Sequence, residues 1–281
     1  MNLHLKSVLL LFATAALWST AGVMIKSVDW SPQAIASLRS LVAGLAIMVM
    51  AGKDMRWTKP DRIELIGAVC LAVLSLAFVM ATKMTTAANA IFIQYSAPVW
   101  VAVAAPLFLG ERTSGRDWFF IILVLVGLSC FFKDSLSIEN YKGNLAALVS
   151  SFCFAGVALT VRLAKDGGPL RLTVYGCLLL GISGLFFCRP PWPPPEQLGL
   201  VAVAGVLQFG LPYYLYALAS RGVSSLELVL IPALEPVLNP LWVLLVVGEK
   251  PGLWAVIGGA IVLASITARS VLKVSGPRPG K

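Results

Sequence analysis

Glu235 lies inside an uninterrupted hydrophobic run, 225–247, where a charged side chain is hardest to explain as packing. A lone carboxylate surrounded by hydrocarbon either takes up a proton or finds a cation, because a bare charge there is too costly. Arg39 is the one basic residue deep in any comparable run, so an Arg39–Glu235 pair is the natural expectation. With a helical rise of about 1.5 Å per residue, Arg39 sits roughly 9 Å inside its run, and Gln94 reaches about the same depth from the same side. Glu235 comes out roughly 15 Å from the opposite end, close to mid-depth, with Asn239 one turn further on the same face. Trp18, Trp100 and Gln208 also fall near mid-depth, and Tyr95 stands beside Gln94. Aromatic walls carrying a few polar groups suit an amphipathic organic solute. The eight residues Trp18, Arg39, Gln94, Tyr95, Trp100, Gln208, Glu235 and Asn239 therefore form the candidate substrate-binding layer. A purely structural role, with Arg39 and Glu235 tying two helices together, accounts for the charges equally well.

Proline supplies a second signal. Pro232, Pro236 and Pro240 recur every four residues along one stripe. Each lacks an N–H, so the carbonyls of Leu228, Pro232 and Pro236 lose their usual helical partner and cannot face lipid. A kinked helix satisfied by its neighbours explains this; so does a flexing element lining a path. Pro98, Pro106 and Pro212 are milder cases. Tyr213, Tyr214 and Tyr216 follow Pro212 and read either as an interfacial belt or as cavity wall, whereas Trp57, Trp118, Trp192 and Trp254 read as anchors at run ends.

Other chemistries find no support. The only histidine is His4, and Cys70, Cys130, Cys153, Cys177 and Cys188 lie inside apolar runs without CxxC spacing. They read as packed thiols, with no metal site and no cofactor implied. There is no GxxxxGK[ST], HExxH or GxSxG motif, which argues against ATP-driven pumping and against a membrane-embedded enzyme. The net charge of +9 is spread over short links, so nucleic acid is not an expected partner.

The elements that must carry these residues are set by composition. Of 281 residues, 58% are hydrophobic and 12% charged, against about 25% charged in soluble domains. Lipid must therefore cover most of the exterior. Ten runs are long enough to span a bilayer or nearly so: 7–25, 33–51, 63–82, 88–109, 117–132, 143–163, 169–188, 197–219, 225–247 and 252–272, the fifth being shortest. Run one could be mistaken for a cleaved signal peptide, but it belongs to the repeat described next. If the N-terminus is cytoplasmic, fifteen Lys and Arg residues collect on the cytoplasmic side and six on the other. The positive-inside rule then puts both ends in the cytoplasm.

The two halves repeat. Pro98, Gly110 and Glu111 match Pro236, Gly248 and Glu249 at an offset of 138, Pro32 matches Pro169 at 137, and Lys26 matches Arg162 at 136. Five runs per half is an odd number, so the second half must enter the membrane from the opposite side. Such inverted repeats are a recurrent architecture of secondary transporters. Small residues in run ten, including Gly258, Gly259 and Ala260, permit close helix packing or a dimer contact.

Gly110-Glu111-Arg112 closing run four, Gly248-Glu249-Lys250 closing run nine, Trp18 within Ala16-Leu17-Trp18-Ser19, and Arg39 following Pro32 together resemble the EamA branch of the drug/metabolite transporter superfamily. The resemblance covers nearly the whole chain. In the second half Phe154 stands where Trp18 stands and Gly176 where Arg39 stands, so the site is not expected to be symmetric. The resemblance implies an all-α polytopic membrane protein: ten transmembrane helices in two inverted-topology five-helix repeats, residues 1–135 and 136–281. It also implies a secondary carrier or exporter of small organic metabolites, amino acids among them, and outward direction rests on it alone. Alternating access would work around a mid-membrane cavity, with Pro98, Pro212, Pro232, Pro236 and Pro240 as kink or gating positions. Expected partners are a small-molecule substrate and the lipid bilayer of the inner (plasma) membrane, the chain acting as monomer or homodimer. A scaffold or sensor without flux is the rival reading and requires no polar cavity.

Overall fold

A computed structural model describes residues 2–52, 55, 57–85, 87–131, 133, 140–165, 167–238 and 253–274. The described chain is helical, with no strand among its residues. The helices are α1 (Leu3–Trp18), α2 (Ala21–Lys26), α3 (Pro32–Ala51), α4 (Arg62–Met84), α5 (Ala87–Gln94), α6 (Ala97–Phe108), α7 (Gly115–Phe131), α8 (Tyr141–Leu163), α9 (Gly168–Gly184), α10 (Pro195–Val203), α11 (Leu211–Ala219), α12 (Ser225–Leu230) and α13 (Leu253–Val274). Their starts follow from local chemistry. Side-chain oxygens of Asn2, Ser31 and Asp61 accept from the amides of His4, Ala34 and Glu64 at the heads of α1, α3 and α4. A reciprocal Ser224–Glu227 capping box opens α12. These caps satisfy amide groups that the helix itself leaves unpaired.

Seven helical stretches are long and apolar enough to cross a bilayer: Leu3–Lys26, Pro32–Ala51, Arg62–Met84, Asn89–Phe108, Tyr141–Leu163, Gly168–Phe187 and Pro195–Ala219. Of the other expected spans, the fifth appears as the shorter α7, and the tenth as α13, whose apolar stretch covers Val256–Arg269. Of the expected ninth run, 225–247, the residues after Leu238 lie outside the described set. Large apolar side chains stay on the outside, among them Val49, Leu107, Phe108, Phe152 and Ile182, as expected where lipid is the solvent.

Several spans are interrupted, and the interruptions sit at the site. The first breaks at Ser19–Thr20 between α1 and α2, and the fourth breaks at Tyr95–Ser96 between α5 and α6. Pro98 therefore falls in the first turn of α6, where its missing N–H costs nothing, and does not kink a continuous helix. A π-helical stretch, Ala204–Gly210, joins α10 to α11 and puts Pro212 likewise in a first turn. After α12 the chain tightens into a 3₁₀ turn, Ile231–Leu234, with Pro232 at its start.

Helix starts at Leu3, Pro32 and Gly115 recur at Tyr141, Gly168 and Leu253, at offsets of 136 to 138. The packing follows the same correspondence. α4 lies against α8 and α1 against α11, two pairings that exchange when each half is swapped for the other. α3 with α9 and α7 with α13 are pairs of corresponding helices. Glycine sets how close they come. A Cβ on Gly181 of α9 would lie 2.8 Å from the Leu41 backbone of α3, and one on Gly127 of α7 would lie 3.0 Å from the Gly258 carbonyl of α13. Gly258 is thus used within the chain, against α7.

Candidate functional site

The interruptions converge on a cavity with about 380 Å³ of empty space. Its polar side is formed by Arg39, Ser75, Gln94, Gln208, Tyr213 and Glu235. Trp18, Phe78, Phe154 and Phe209 supply aromatic walls, with Ala21 and Leu74 between them. Five elements of the first half and four of the second contribute, so the cavity lies between the halves.

Arg39 is the most constrained of these groups, with 2% of its surface exposed. Its Nη1 donates to Gln208 Oε1 at 3.1 Å and its Nη2 to Ser75 Oγ at 2.9 Å. The guanidinium carbon lies 4.4 Å from the centre of the Phe209 ring, an arrangement that favours a cation. Its Nε has no hydrogen-bond partner. The π-helical stretch explains the contact with Gln208: its Gly205 lets the segment approach so closely that a Cβ there would sit 2.9 Å from the Arg39 carbonyl.

Glu235 is also buried, and Oε2 lies 2.7 Å from the Tyr95 hydroxyl. The same hydroxyl is 2.6 Å from the Pro232 carbonyl oxygen. That carbonyl has no i+4 amide to pair with, since Pro236 has none, and it also accepts the 3₁₀ bond from the Glu235 N–H. The proline-freed carbonyl is therefore satisfied by protein. Tyr95 stands at the α5–α6 break, so its bonds to Pro232 and Glu235 tie the first half to the second.

Two expectations need correction. Arg39 and Glu235 line one cavity but form no direct ion pair; neither has an ion-pair partner among the described residues. The guanidinium is held by neutral acceptors on its own side and the carboxyl by a phenol on the other. Trp100 does not reach the cavity: it is 38% exposed and donates its indole N–H to Ser151 at 3.2 Å. Five residues along a helix turn the side-chain direction by about 140°, so Tyr95 and Trp100 lie on different faces of the fourth span. Asn239 and Pro240 lie outside the described residues. Pro98, Pro212, Pro232 and Pro236 are buried, and the Pro212 carbonyl accepts from Thr14 Oγ1 of α1.

Six lining side chains were not among the candidates read from the sequence: Ala21, Leu74, Ser75, Phe78, Phe154 and Phe209. Phe154 carried a usable signal, as the counterpart of Trp18. The two rings touch edge to face, 5.8 Å apart. Tyr213 and Tyr216 close this cluster at 5.1 and 5.7 Å from Trp18, and both are buried, which rules out an interfacial belt for them.

On the face bearing the start of α1, a wider opening with about 1630 Å³ of empty space is rimmed by charge. Three ion pairs cross it from half to half: Glu111–Arg162 at 3.0 Å, Asp117–Arg269 at 2.9 Å and Glu227 to His4 at 3.0 Å, the last being charged when His4 is protonated. A fourth, Glu64–Arg171, is buried between α4 and α9. Arg171, near the start of the seventh run, thus adds a buried cation. Gly110, at φ 65°, turns the chain so that Glu111 also accepts from Ser225 N and Oγ, at 2.9 and 2.6 Å, at the head of α12. The opposite face is joined by neutral contacts: Asp29 N to Gln197, Trp30 Nε1 to the Arg189 carbonyl, and Trp30 against Trp192.

Repeated apolar helices enclosing a buried polar cavity between two related halves define a polytopic membrane protein of the transporter class. Residues 5–133 and 141–270 each match the EamA-like transporter family, and the chain belongs to that family. It is similar to an uncharacterized transporter of Archaeoglobus fulgidus, 27% identical over 258 residues, covering 90% of this chain and 92% of the relative. A second uncharacterized transporter of that organism is 25% identical, covering 93% and 98%. An uncharacterized protein of Pseudomonas aeruginosa is 27% identical, covering 83% and 85%. A solved crystal structure shares the fold, with a TM-score of 0.77 at 19% identity, covering 96% of this chain and 98% of the other.

Proposed function

We propose that this protein is a secondary transporter that exports small organic metabolites, amino acids or comparable amphipathic compounds, by alternating access around the cavity between its halves. One observation carries the reading: a guanidinium buried in that cavity with no carboxylate partner among the described residues and an unused N–H. A charge kept in such a place is costly and has a use when the solute brings the complementary group. Two halves of five spans each, ten in all, inverted across the membrane and divided near residue 135, fit the exchange symmetry of the helix pairings. The Lys and Arg distribution supports a plasma-membrane protein with both ends cytoplasmic. The charged rim is then the cytoplasmic closure.

Arg39, Gln94, Gln208 and Glu235 are the polar contacts of the solute, and Trp18, with Phe154 against it, forms part of the wall. The test is flux of a panel of radiolabelled amino acids and amphipathic amines in proteoliposomes, with Arg39→Gln as control. Saturable flux that Arg39→Gln abolishes at unchanged expression supports the reading. Flux that survives the substitution removes Arg39 from the substrate path, and no flux for any solute favours a scaffold or sensor.

A further inference from the structure

The Tyr95 hydroxyl touches two oxygens, the Pro232 carbonyl at 2.6 Å and Glu235 Oε2 at 2.7 Å. Each separation needs a hydrogen between the oxygens. A phenol carries one hydrogen, and a carbonyl oxygen can only accept. If the Tyr95 hydrogen points at Pro232, the hydrogen of the second contact must come from Glu235. From this geometry we infer that Glu235 is a proton-binding site, loaded with a proton in the conformation described here, and that this proton stabilises the conformation in which the two halves are latched on the α1 face.

The surroundings agree with a neutral acid. Of the charged and titratable groups lining the same cavity, Arg39 is turned to Gln208 and Ser75, and Tyr213 is a phenol within the aromatic cluster with Tyr216. The 3₁₀ turn before Glu235 packs on α1, α12 and α13. From α1 the cavity receives Trp18, while His4 and Lys6 lie in the first turn of that helix; the acid of α12, Glu227, is engaged by His4; and Arg269 of α13 is engaged by Asp117. Among the described residues nothing charged therefore replaces the proton in this state.

The acid and its acceptor belong to opposite halves. Any re-orientation of the halves that takes Glu235 off the Tyr95 oxygen removes the acceptor and leaves the acid facing cavity water. The proton then passes from the carboxyl to that water, leaving a carboxylate, and returns when the halves re-latch. A proton that binds one conformation preferentially favours it as any ligand does. Acid therefore populates the latched state and alkali depopulates it. This rests on the transport reading for its use, and on geometry alone for the protonation state.

The experiment needs no transported solute. Infrared spectra of the full chain in lipid, titrated with pH, report protonated carboxylic acids through their carbonyl stretch. We expect such a band at neutral pH, absent in Glu235→Gln, shifted in Glu235→Asp, and moved to higher frequency in Tyr95→Phe, where the acid loses its acceptor. In parallel, spin labels on the starts of α1 and α12 report the separation of the halves. Raising pH is expected to widen that distance in the wild type and leave it fixed in Glu235→Gln. Absence of the band, or an equal pH response in wild type and Glu235→Gln, overturns the inference. A wild-type band and pH response together with no flux for any solute overturns the transport reading and leaves the proton site standing.

Discussion

Arg39 shows how far single residues can be read and where the reading stops. Its depth and isolation were visible in the sequence because a basic residue amid apolar neighbours stands out. Its partners were not, because Gln208 and Ser75 are uncharged and come from distant segments. Replacing Gln208 by Leu leaves a second guanidinium nitrogen unpaired beside Nε. The expected loss is about 1–3 kcal/mol of stability, read as a lower melting temperature of the purified protein. Trp100 provides the opposite case. It lies at the right depth on the wrong face, so Trp100→Phe is expected to leave flux at the wild-type level; a large loss would return it to the site. Trp100 follows Tyr95 by five residues, about 140° of helical turn, a difference of face that depth alone does not register.

At the level of helices, most spans and the start of each repeat could be located from hydrophobic length and the recurring prolines. The interruptions could not. Pro98 suggests a kink, yet it begins a new helical segment, and the π-helical stretch 204–210, which Pro212 follows within one continuous helix, has no proline within it. Backbone satisfaction decides the case of Pro98: a proline at a segment start removes a donor that had no acceptor anyway. Pro236 is different, because its missing N–H leaves the Pro232 carbonyl open to Tyr95. Pro236→Ala restores an amide able to compete for that carbonyl, which should slow flux at unchanged expression. Full wild-type flux would show that the Tyr95–Pro232 contact has no part in the cycle. Close approach is the other helical constraint hidden in composition. Gly181→Val pushes a side chain against the α3 backbone at Leu41, and overpacking of this kind costs about 1–3 kcal/mol or more. Thermal unfolding checks it.

For the molecule as a whole, symmetry of packing and asymmetry of chemistry coexist. The helix pairings exchange between halves, while Arg39 has only Gly176 as its counterpart, a glycine whose added Cβ would meet the Ala68 carbonyl of α4 at 2.8 Å. One half spends the position on a cation, and the other on letting two helices touch. The rim that carries His4, Glu111, Asp117, Arg162, Glu227 and Arg269 was legible only as a surplus of positive charge; its acidic partners are scattered along the chain and meet only in the fold. Glu111→Gln removes the charge facing Arg162 and leaves one accepting oxygen in place of two, which weakens the hold on Arg162 and on the head of α12. The label distance between the starts of α1 and α12 is expected to lengthen, and an unchanged distance would show that the rim does not set the conformation.

The two rims also differ in what can loosen them. Partly exposed ion pairs weaken as electrolyte accumulates, because mobile ions screen them over about 8 Å at physiological strength. The contacts of Asp29, Trp30, Arg189 and Trp192 on the far side join no opposite charges and offer little for such ions to act on. Potassium or magnesium added to one compartment would therefore unfasten a single side of the molecule, giving the bilayer's two compartments unequal authority over which way the protein faces.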